Sequence, residues 1–356
     1  AETANYTADQ HQLELSKEER DMIEMAKTEF DNVIVLVNSA NVFELGTLEE
    51  DNGIDAIVWM AYPGSHGCDA LAEILNGTIN PSGRTVDTWM TDMTANPTFP
   101  NTYSQAYTNV NSSNAIGTSY TVEYEEGIYV GYRYYETACA EMGAEGEAWY
   151  ADNVVYPFGY GLSYTSFTQK MVGEPTVSDG QISVTVSVTN EGEVAGKDVI
   201  QLYYSAPYTE GGIEKSSVAL VGFHKTGNLA PGADEDVNIT INLKDFISYD
   251  EEYKTYVLEA GTYYITAATD AHKALNNILA ARGDIDEGKL VAAGGLDEAE
   301  NALAIPAQAL QRGNVVYVQD DSVTEAQGNV PAGFRSVEVE TGLISEDYVE
   351  IKSGLS

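Results

Sequence analysis

The chain has 356 residues and a formal net charge of −39, from 56 acidic and 17 basic residues. This excess of negative charge repels phosphate backbones and anionic lipid, which excludes nucleic acid and membrane surfaces as partners. An uncharged ligand such as a sugar is compatible with the charge, although the charge is equally typical of a protein kept in solution by self-repulsion. The length suffices for two or three domains, and no apolar run reaches the roughly eighteen residues of a membrane span.

Two cysteines, Cys68 and Cys139, are too few for a disulfide framework and lack metal-site spacing. They allow one disulfide or two free thiols, and we expect free thiols. We predict no cofactor and no metal. The first residues have neither the basic region nor the apolar core of a signal peptide, and the chain opens without methionine. We therefore interpret Ala1 as an internal position of a longer polypeptide, which leaves a cytoplasmic or a secreted location undecided.

Residues 1–155 alternate between helical and strand patterns, which predicts a mainly parallel α/β domain, incomplete at its N-terminus. Ser16 and Glu19 have the spacing of a capping box, which predicts a helix start. Apolar residues then recur on one predicted side of that helix: Met22, Ile23, Met25, Ala26 and Phe30. The continuous apolar runs 33–37 and 54–60 are typical of strands buried on both faces.

A turn at residues 62–64 precedes a helix predicted from about Ser65 to Leu75. Reactive side chains gather at its start: Ser65, His66, Cys68 and Asp69. Their spacing fits neither a nucleophile elbow nor a zinc motif. We therefore expect structural roles, with Ser65 capping the helix and Cys68 packed inside the domain.

Residues 88–121 are rich in Asn, Thr, Ser and Tyr and show little apolar periodicity. A connection of this length inside a compact domain is often functional. Tyr103, Tyr107 and Tyr120 are therefore candidates for lining a substrate cleft, where their rings would stack on a sugar. The alternative is that they only pack the loop against the domain.

The junction, residues 156–167, reads Tyr-Pro-Phe-Gly-Tyr-Gly-Leu-Ser-Tyr-Thr-Ser-Phe and separates two kinds of pattern. Its apolar side chains either hold two domains together or simply pack a linker. From residue 168 to 283, apolar residues alternate with polar ones, as at Ile182, Val184 and Val186. Short strands with this period, separated by turn signals, predict an immunoglobulin-like β-sandwich. The expected fold class is thus α/β followed by all-β.

Residues 284–300 are rich in acid and glycine and are predicted to be a linker. Residues 301–356 have a β-rich pattern of their own. The segments 304–310 and 350–355 resemble the C-terminal part of periplasmic adaptor subunits of efflux pumps, which favours a separate origin for this tail. We expect the tail not to pack on the sandwich, because it follows this linker and resembles a piece of a larger domain. So short a piece is marginally stable alone, so we expect poor order, high mobility or strand pairing with a neighbour. The alternative is a small appended β-domain that rests on the sandwich.

The ordered motifs of residues 10–283 resemble family 3 glycoside hydrolases of the β-glucosidase type. They are 32–38, 80–85, 126–135, 156–167 and 258–264. The resemblance identifies the chain with the C-terminal half of such an enzyme. It implies an α/β sandwich domain over 1–155, a junction over 156–167 and a fibronectin type III-like domain over 168–283.

The resemblance also implies a retaining glycosidase that acts on small β-glucosides or β-xylosides through two carboxyl groups about 5 Å apart. In the family the nucleophile is an Asp on a separate (β/α)8 barrel, which this chain has no room for and which would be its partner. The acid/base is a Glu upstream of the position matching Leu13. Only Glu2 lies near enough to be considered, and the expected glycine-flanked motif is absent around it. The chain alone is therefore predicted to be inactive, and the alternative is a non-catalytic sugar-binding or interaction module.

Overall fold

The computed structural model describes residues 13–46, 48–99 and 124–283, together with seven short strands elsewhere. Those strands are Gln105–Ala106, Tyr120–Thr121, Ala302–Pro306, Val315–Gln319, Phe334–Glu338, Glu340–Ile344 and Val349–Ser353. The chain divides into a first unit, Ala1–Tyr164, and a second unit, Thr165–Ser356. In the described parts of both units, no helix is long and apolar enough to cross a membrane.

The first unit begins with helix α1, Lys17–Glu29, at the predicted capping box. The Ser16 Oγ accepts a hydrogen bond from the Glu19 N–H at 3.2 Å, and the Glu19 carboxylate accepts one from the Ser16 N–H at 2.8 Å. Two donors that the first helical turn leaves without partners are thereby satisfied. The prediction of a helix start at this position is confirmed.

Strands β1 (Ile34–Val37) and β2 (Ala56–Trp59) pair in parallel, with Ile34 opposite Ala56. Helix α2, Gly67–Leu75, follows β2. One face of this pair packs into the core of the first unit. That core contains Ile23, Val37, Val42, Leu45, Leu48 and Trp89. The predicted α/β class with parallel strands is confirmed.

The rest of the first unit consists of short strands and helices. Strand β3 (Trp89–Met90) pairs antiparallel with β6 (Val154–Tyr156), and β4 (Gln105–Ala106) pairs antiparallel with β5 (Tyr120–Thr121). Helices α3 (Tyr132–Glu141) and α4 (Gly146–Asn153) lie between β5 and β6 in the sequence. Single 3-10 turns occur at Met93–Ala95 and Gly143–Glu145.

The expectation that β1 is buried on both faces is wrong for this chain. Val35 and Val37 pack in the core, whereas Ile34 and Leu36 are each 44% exposed. Successive side chains of a strand point to opposite faces, and in the described residues only one face of β1 is covered. The predicted apolar side of α1 is likewise mostly exposed, because Ile23 is the one buried residue of that helix.

The predicted start of α2 is also corrected. The helix begins at Gly67 and not at Ser65, and His66 occupies the cap position without a side-chain hydrogen bond to the helix. The reason is a turn in which the Gly67 N–H donates to the Pro63 carbonyl at 2.9 Å. Cys68 is exposed rather than packed, while Cys139 is buried, and both thiols are free as expected.

The second unit contains two antiparallel sheets. One has the order β12 (Asp234–Asn242), β9 (Gln181–Asn190), β7 (Phe167–Met171), and β8 (Thr176–Ser178) also pairs with β9. The other has the order β11 (Ala219–Lys225), β10 (Val199–Ser205), β15 (Thr262–Ala268), β16 (Ala302–Pro306). A small hairpin, β13 (Ser248–Asp250) and β14 (Thr255–Val257), precedes β15.

The core of the second unit lies on the alternate residues that the sequence pattern selected. Ile182, Val184 and Val186 of β9 are almost completely buried, as are Ile200 and Leu202 of β10. The period-two alternation therefore predicted the sandwich correctly. The sequence pattern missed helix α5, Ala271–Arg282, which is capped by Asp270 and ends at Gly283.

The prediction that the tail does not pack on the sandwich is wrong for its first strand. Thr262–Thr266 of β15 pair with Ala302–Pro306, which makes β16 the edge strand of the second sheet. Without β16, β15 would be the edge strand of this sheet, with a row of unpaired N–H and C=O groups. Strand β16 forms backbone hydrogen bonds with those groups. Strands β17 (Val315–Gln319) and β18 (Phe334–Glu338) form one further pair, and β19 (Glu340–Ile344) and β20 (Val349–Ser353) form another.

Candidate functional site at the junction and the end of the parallel strands

Two motifs that lie about eighty residues apart in the sequence interlock in the first unit. The Asn80 Oδ1 accepts hydrogen bonds from the Ser163 Oγ at 3.0 Å and from the Tyr164 N–H at 2.8 Å. The Tyr164 hydroxyl in turn donates to the carbonyl of Ile74, near the end of α2. One amide side chain thus fixes the end of the junction to the segment that follows α2.

Thr85 makes a second connection between the same two motifs. Its N–H donates to the Tyr160 carbonyl at 2.7 Å, and its carbonyl accepts from the Gly159 N–H at 2.9 Å. Its Oγ1 donates to the Pro157 carbonyl at 2.7 Å. Through its backbone and its side chain, Thr85 thus holds residues 157–160 of the junction in place.

Gly161 explains why this part of the junction needs a residue without a side chain. A Cβ atom at position 161 would lie 2.3 Å from the backbone oxygen of Gly83, a distance that real contacts do not reach. Gly159 has φ +86°, a conformation that side chains disfavour. Both glycines of Phe-Gly-Tyr-Gly are therefore required by local geometry, one for close approach and one for its backbone angle.

The aromatic residues of the junction have divided roles. Within the first unit the rings of Tyr156 and Tyr160 stack at 5.0 Å, and those of Tyr132 and Phe158 stack at 4.6 Å. Phe167 packs against the core of the second unit. Leu162 is 71% exposed and contributes to neither core.

A second feature lies where β1 and β2 end, at the edge of a parallel sheet where ligands commonly bind. The Trp59 Nε1–H donates to the Ser39 carbonyl at 2.7 Å and so ties the two strand ends together. Ala61 follows with φ +46°, a strained angle for a residue other than glycine. Beyond it, Tyr62 is exposed, and the His66 Nδ1 lies 3.7 Å from Asp69. This edge presents aromatic and polar groups to solvent.

Sequence reasoning missed a buried carboxyl group in the first unit. Glu136 is 0% exposed and accepts a hydrogen bond from the Tyr150 hydroxyl at 2.6 Å, which joins α3 to α4. Burial, with smaller contributions from Glu147 and Glu136, raises the pKa of the Cys139 thiol to about 12. The signal available in the sequence was that Glu136 follows Tyr135 directly and lies three residues before Cys139, on the side of α3 that these residues bury. Its burial suits packing, whereas a catalytic acid must reach its substrate.

The sequence-predicted site residues lie outside the part of the chain that the structure describes. This holds for Glu2, Tyr103 and Tyr107, and for the side chain of Tyr120, whose backbone belongs to β5. They stay predictions. Within residues 13–46, 48–99 and 124–283, no cluster of His, Cys, Asp and Glu has the arrangement of a metal site.

The fold and the interlocked motifs define an α/β unit followed by a fibronectin type III-like sandwich. The C-terminal domain of glycosyl hydrolase family 3 matches residues 1–132, and the fibronectin type III-like domain matches residues 198–271. The chain therefore carries the C-terminal region of family 3 glycoside hydrolases, with its fibronectin type III-like domain.

Relatives and solved structures agree with this assignment. The chain is 34% identical over 286 residues to β-glucosidase A of Butyrivibrio fibrisolvens, a match that covers 75% of this chain and 32% of the relative. The structure of the Kluyveromyces marxianus β-glucosidase in complex with glucose matches with a TM-score of 0.60 and 30% identity, over 72% of this chain and 28% of that one. A Paenibacillus barengoltzii β-glucosidase matches with a TM-score of 0.63 and 27% identity, over 97% and 34% respectively. The chain spans about a third of the length of these relatives.

The likeness of the tail to efflux-pump adaptors stays a prediction.

Proposed function

We propose that the chain is the accessory half of a retaining β-glycosidase that hydrolyses terminal β-glucosides or β-xylosides. The observation that carries this proposal is the interlocking of residues 80–85 with the junction through Asn80 and Thr85. Residues 80–85 and the junction, two motifs in the order typical of the family, are joined by hydrogen bonds in the structure. The relatives that share the region are β-glucosidases by name.

The partner in this proposal is a (β/α)8 barrel on another part of the polypeptide or on another chain. Retaining glycosidases need two carboxyl groups on either side of one bond, and the barrel would supply the nucleophile. The exposed apolar face of β1, with Ile34 and Leu36, supports a partner for the first unit. Parallel strands are normally covered on both faces. We further propose that the chain has the domains that its sequence indicates. These are an α/β sandwich domain over 1–155, a junction over 156–167, a fibronectin type III-like domain over 168–283, a linker over 284–300 and a tail over 301–356.

The experiment that tests this proposal is complementation. The chain, the separately produced barrel half of the Butyrivibrio relative, and their mixture are assayed with an aryl β-glucoside and an aryl β-xyloside. We expect no useful turnover by the chain alone and turnover by the mixture. Robust turnover by the chain alone that Glu2→Gln abolishes would show that the catalytic site lies in this chain.

A matched pair of variants tests where the partner binds. Leu36→Glu places a charge on the exposed face of β1 and should abolish activity of the mixture, because a buried unpaired charge opposes association. Val177→Glu changes an equally apolar, 53% exposed position on β8 of the second unit and should leave the mixture active. Equal losses of activity in both variants would show that the exposed face of β1 is not the surface that binds the partner.

The second candidate function is a non-catalytic sugar-binding or interaction module. Its separate support is that Tyr249 of β13 and Tyr256 of β14 are about half exposed. The same complementation assay separates the two functions. A module that only binds sugar would leave the mixture without turnover, although the chain itself would still bind a glucan.

A further inference from the structure

Strand β15 has the composition of an interior strand, although β16 alone separates it from the edge of its sheet. Residues 262–268 read Thr-Tyr-Tyr-Ile-Thr-Ala-Ala and contain no charged residue and no proline, in a chain whose net charge is −39. Short uncharged segments rich in β-branched and aromatic residues pair readily with further strands. An uncovered β15 would therefore be a favourable surface for another strand to bind.

The other edges of the two sheets carry features that oppose such pairing. Strand β12 begins with three acidic residues, 234–236, and β7 contains the exposed Lys170. Strand β11 has one extra residue, Val221, in its ladder with β10, and it ends at Lys225. Strand β8 has three residues. Charges, bulges and short length protect edge strands from pairing with other chains. Among the strands of the sandwich that the structure describes, β15 lacks these features and is covered by β16 instead.

Both faces of β15 are covered, so a further partner can reach only its edge. Tyr263, Ile265 and Ala267 pack in the core of the sandwich. On the opposite face, Thr266 is buried and its Oγ1 accepts a hydrogen bond from the Asn277 Nδ2 of α5 at 2.9 Å. Strand β10 pairs with the inner edge of β15. These contacts hold β15 in an extended conformation, and a strand that binds to its outer edge meets a preformed surface.

Pro306 determines which residues of β16 form backbone hydrogen bonds with β15. It lies opposite Thr262 and has no N–H, so these two residues cannot exchange a pair of hydrogen bonds. Hydrogen-bonded and non-hydrogen-bonded pairs alternate along an antiparallel ladder. The neighbouring pair, Tyr263 with Ile305, is therefore hydrogen-bonded, and the N–H of Ala304 points away from β15.

We propose that β16 is an intramolecular cover of the β15 edge, and that β15 without this cover binds the same edge of a second copy of the chain. A second copy fits because its β15 is equally uncharged and equally preformed, so the two edges can pair antiparallel about a twofold axis. The first strand of the tail thereby keeps the chain monomeric. This inference does not depend on the proposed hydrolysis.

A matched pair of proline variants of the full chain tests the proposal. Ile305→Pro removes an N–H that bonds to β15 and should release β16, whereas Ala304→Pro removes an N–H that points away from β15. Sedimentation velocity is measured at several protein concentrations in about 0.15 M salt, which screens repulsion between the acidic copies. We expect monomers for the wild type and Ala304→Pro. The mass of Ile305→Pro should rise with concentration to about twice the monomer value. Association of the wild type equal to that of Ile305→Pro would overturn the proposal.

Amide hydrogen exchange of residues 262–266 at the lowest protein concentration reports the cover independently of association. Exchange should be slow in the wild type and in Ala304→Pro. It should be about tenfold faster in Ile305→Pro, because the N–H groups at the outer edge of β15 lose their acceptors. Unchanged exchange in Ile305→Pro, or equally fast exchange in both proline variants, would overturn the role of β16 as a cover. Fast exchange in a chain that stays monomeric at every concentration would overturn the binding of a second copy.

A charge placed on β15 tests whether the two copies meet at this strand. Thr262 is exposed at the start of β15, and Thr262→Lys combined with Ile305→Pro should restore the monomer, because a lysine on an edge strand opposes pairing. The matched control is Phe223→Lys combined with Ile305→Pro. It places the same charge at a 71% exposed position of β11, at the other edge of the same sheet, and should leave association unchanged. Association that survives Thr262→Lys, or that Phe223→Lys abolishes equally, would overturn the proposal.

Discussion

The two units of the chain differ in how completely they bury their own apolar residues. The second unit encloses its core between two sheets, and Val186, Ile200 and Leu202 are 0% exposed. The first unit leaves Ile34 and Leu36 of its parallel pair open, and helix α2 has no buried residue at all. The second unit therefore covers its apolar core with its own strands, whereas the first unit leaves apolar side chains exposed.

This difference suggests that the two units contribute differently to stability. Burial of apolar surface is the main favourable term in folding, and exposed apolar side chains contribute little of it. We expect the second unit to unfold at higher denaturant concentration than the first. All three tryptophans, Trp59, Trp89 and Trp149, belong to the first unit. Tryptophan fluorescence therefore reports on the first unit, and the far-UV circular dichroism of the strands mainly on the second.

The largest expected effect comes from the core of the sandwich. Leu202→Ala should destabilise the second unit by about 3 kcal/mol, because it leaves a cavity in a fully packed core. The matched variant Leu36→Ala, at a 44% exposed position, should change the stability of the first unit far less. Urea unfolding followed by both signals measures the two values. Equal losses would mean that the face of β1 is as well packed as the sandwich core, and the comparison would fail.

The next effect concerns the junction glycine. Gly161→Ala should destabilise the first unit by about 2 kcal/mol, because the new Cβ collides with the Gly83 backbone oxygen. Gly83→Ala is the matched control, since a Cβ there meets nothing within 4 Å. The tryptophan signal should shift in the first variant and stay in place in the second. If neither variant shifts it, the junction does not support the first unit.

A smaller effect is expected at Asn80. Asn80→Ala leaves the Ser163 hydroxyl and the Tyr164 N–H without this acceptor, which should cost about 1 kcal/mol. Asn80→Asp keeps an acceptor oxygen and should retain most of the stability. Proteolysis near residue 164, compared between the two variants, checks the same point independently of spectroscopy. Faster cleavage in both variants would show that the amide group and not its oxygen matters.

The sequence predicted the burial of a strand correctly where the residues that cover the strand belong to the described part of this chain. In β9 the alternation of Ile182, Val184 and Val186 identified both the strand and its buried face, because the opposing sheet belongs to the same chain. In β1 the continuous run identified a strand and predicted two buried faces. The cover over Ile34 is absent from the described residues. The apolar pattern of a strand thus predicts how many of its faces can be buried, and it does not tell which other residues cover those faces.

Other features were not readable because they depend on contacts far apart in the sequence. Nothing near Ala302–Pro306 indicates that it pairs with β15, since edge pairing is mediated by backbone groups that every residue has. At the candidate site, the motifs around Asn80 and the junction were each identified from the sequence. The hydrogen bonds that join them, from Thr85 to Pro157 and Tyr160, required the structure.

The smallest of the expected effects tests whether α1 depends on its cap or on its packing. Ser16→Ala removes the Oγ that accepts from the Glu19 N–H and should destabilise the first unit by about 1 kcal/mol or less. Ser16→Thr keeps the acceptor and is the matched control. Because Ile23 is the one buried residue of α1, packing holds this helix weakly, and the cap accounts for a larger share of its stability than in a well-buried helix. A tryptophan-detected loss greater than that of Asn80→Ala would mean that α1 anchors the first unit more strongly than its burial indicates. No loss at all would mean that α1 frays without affecting the core around Trp89.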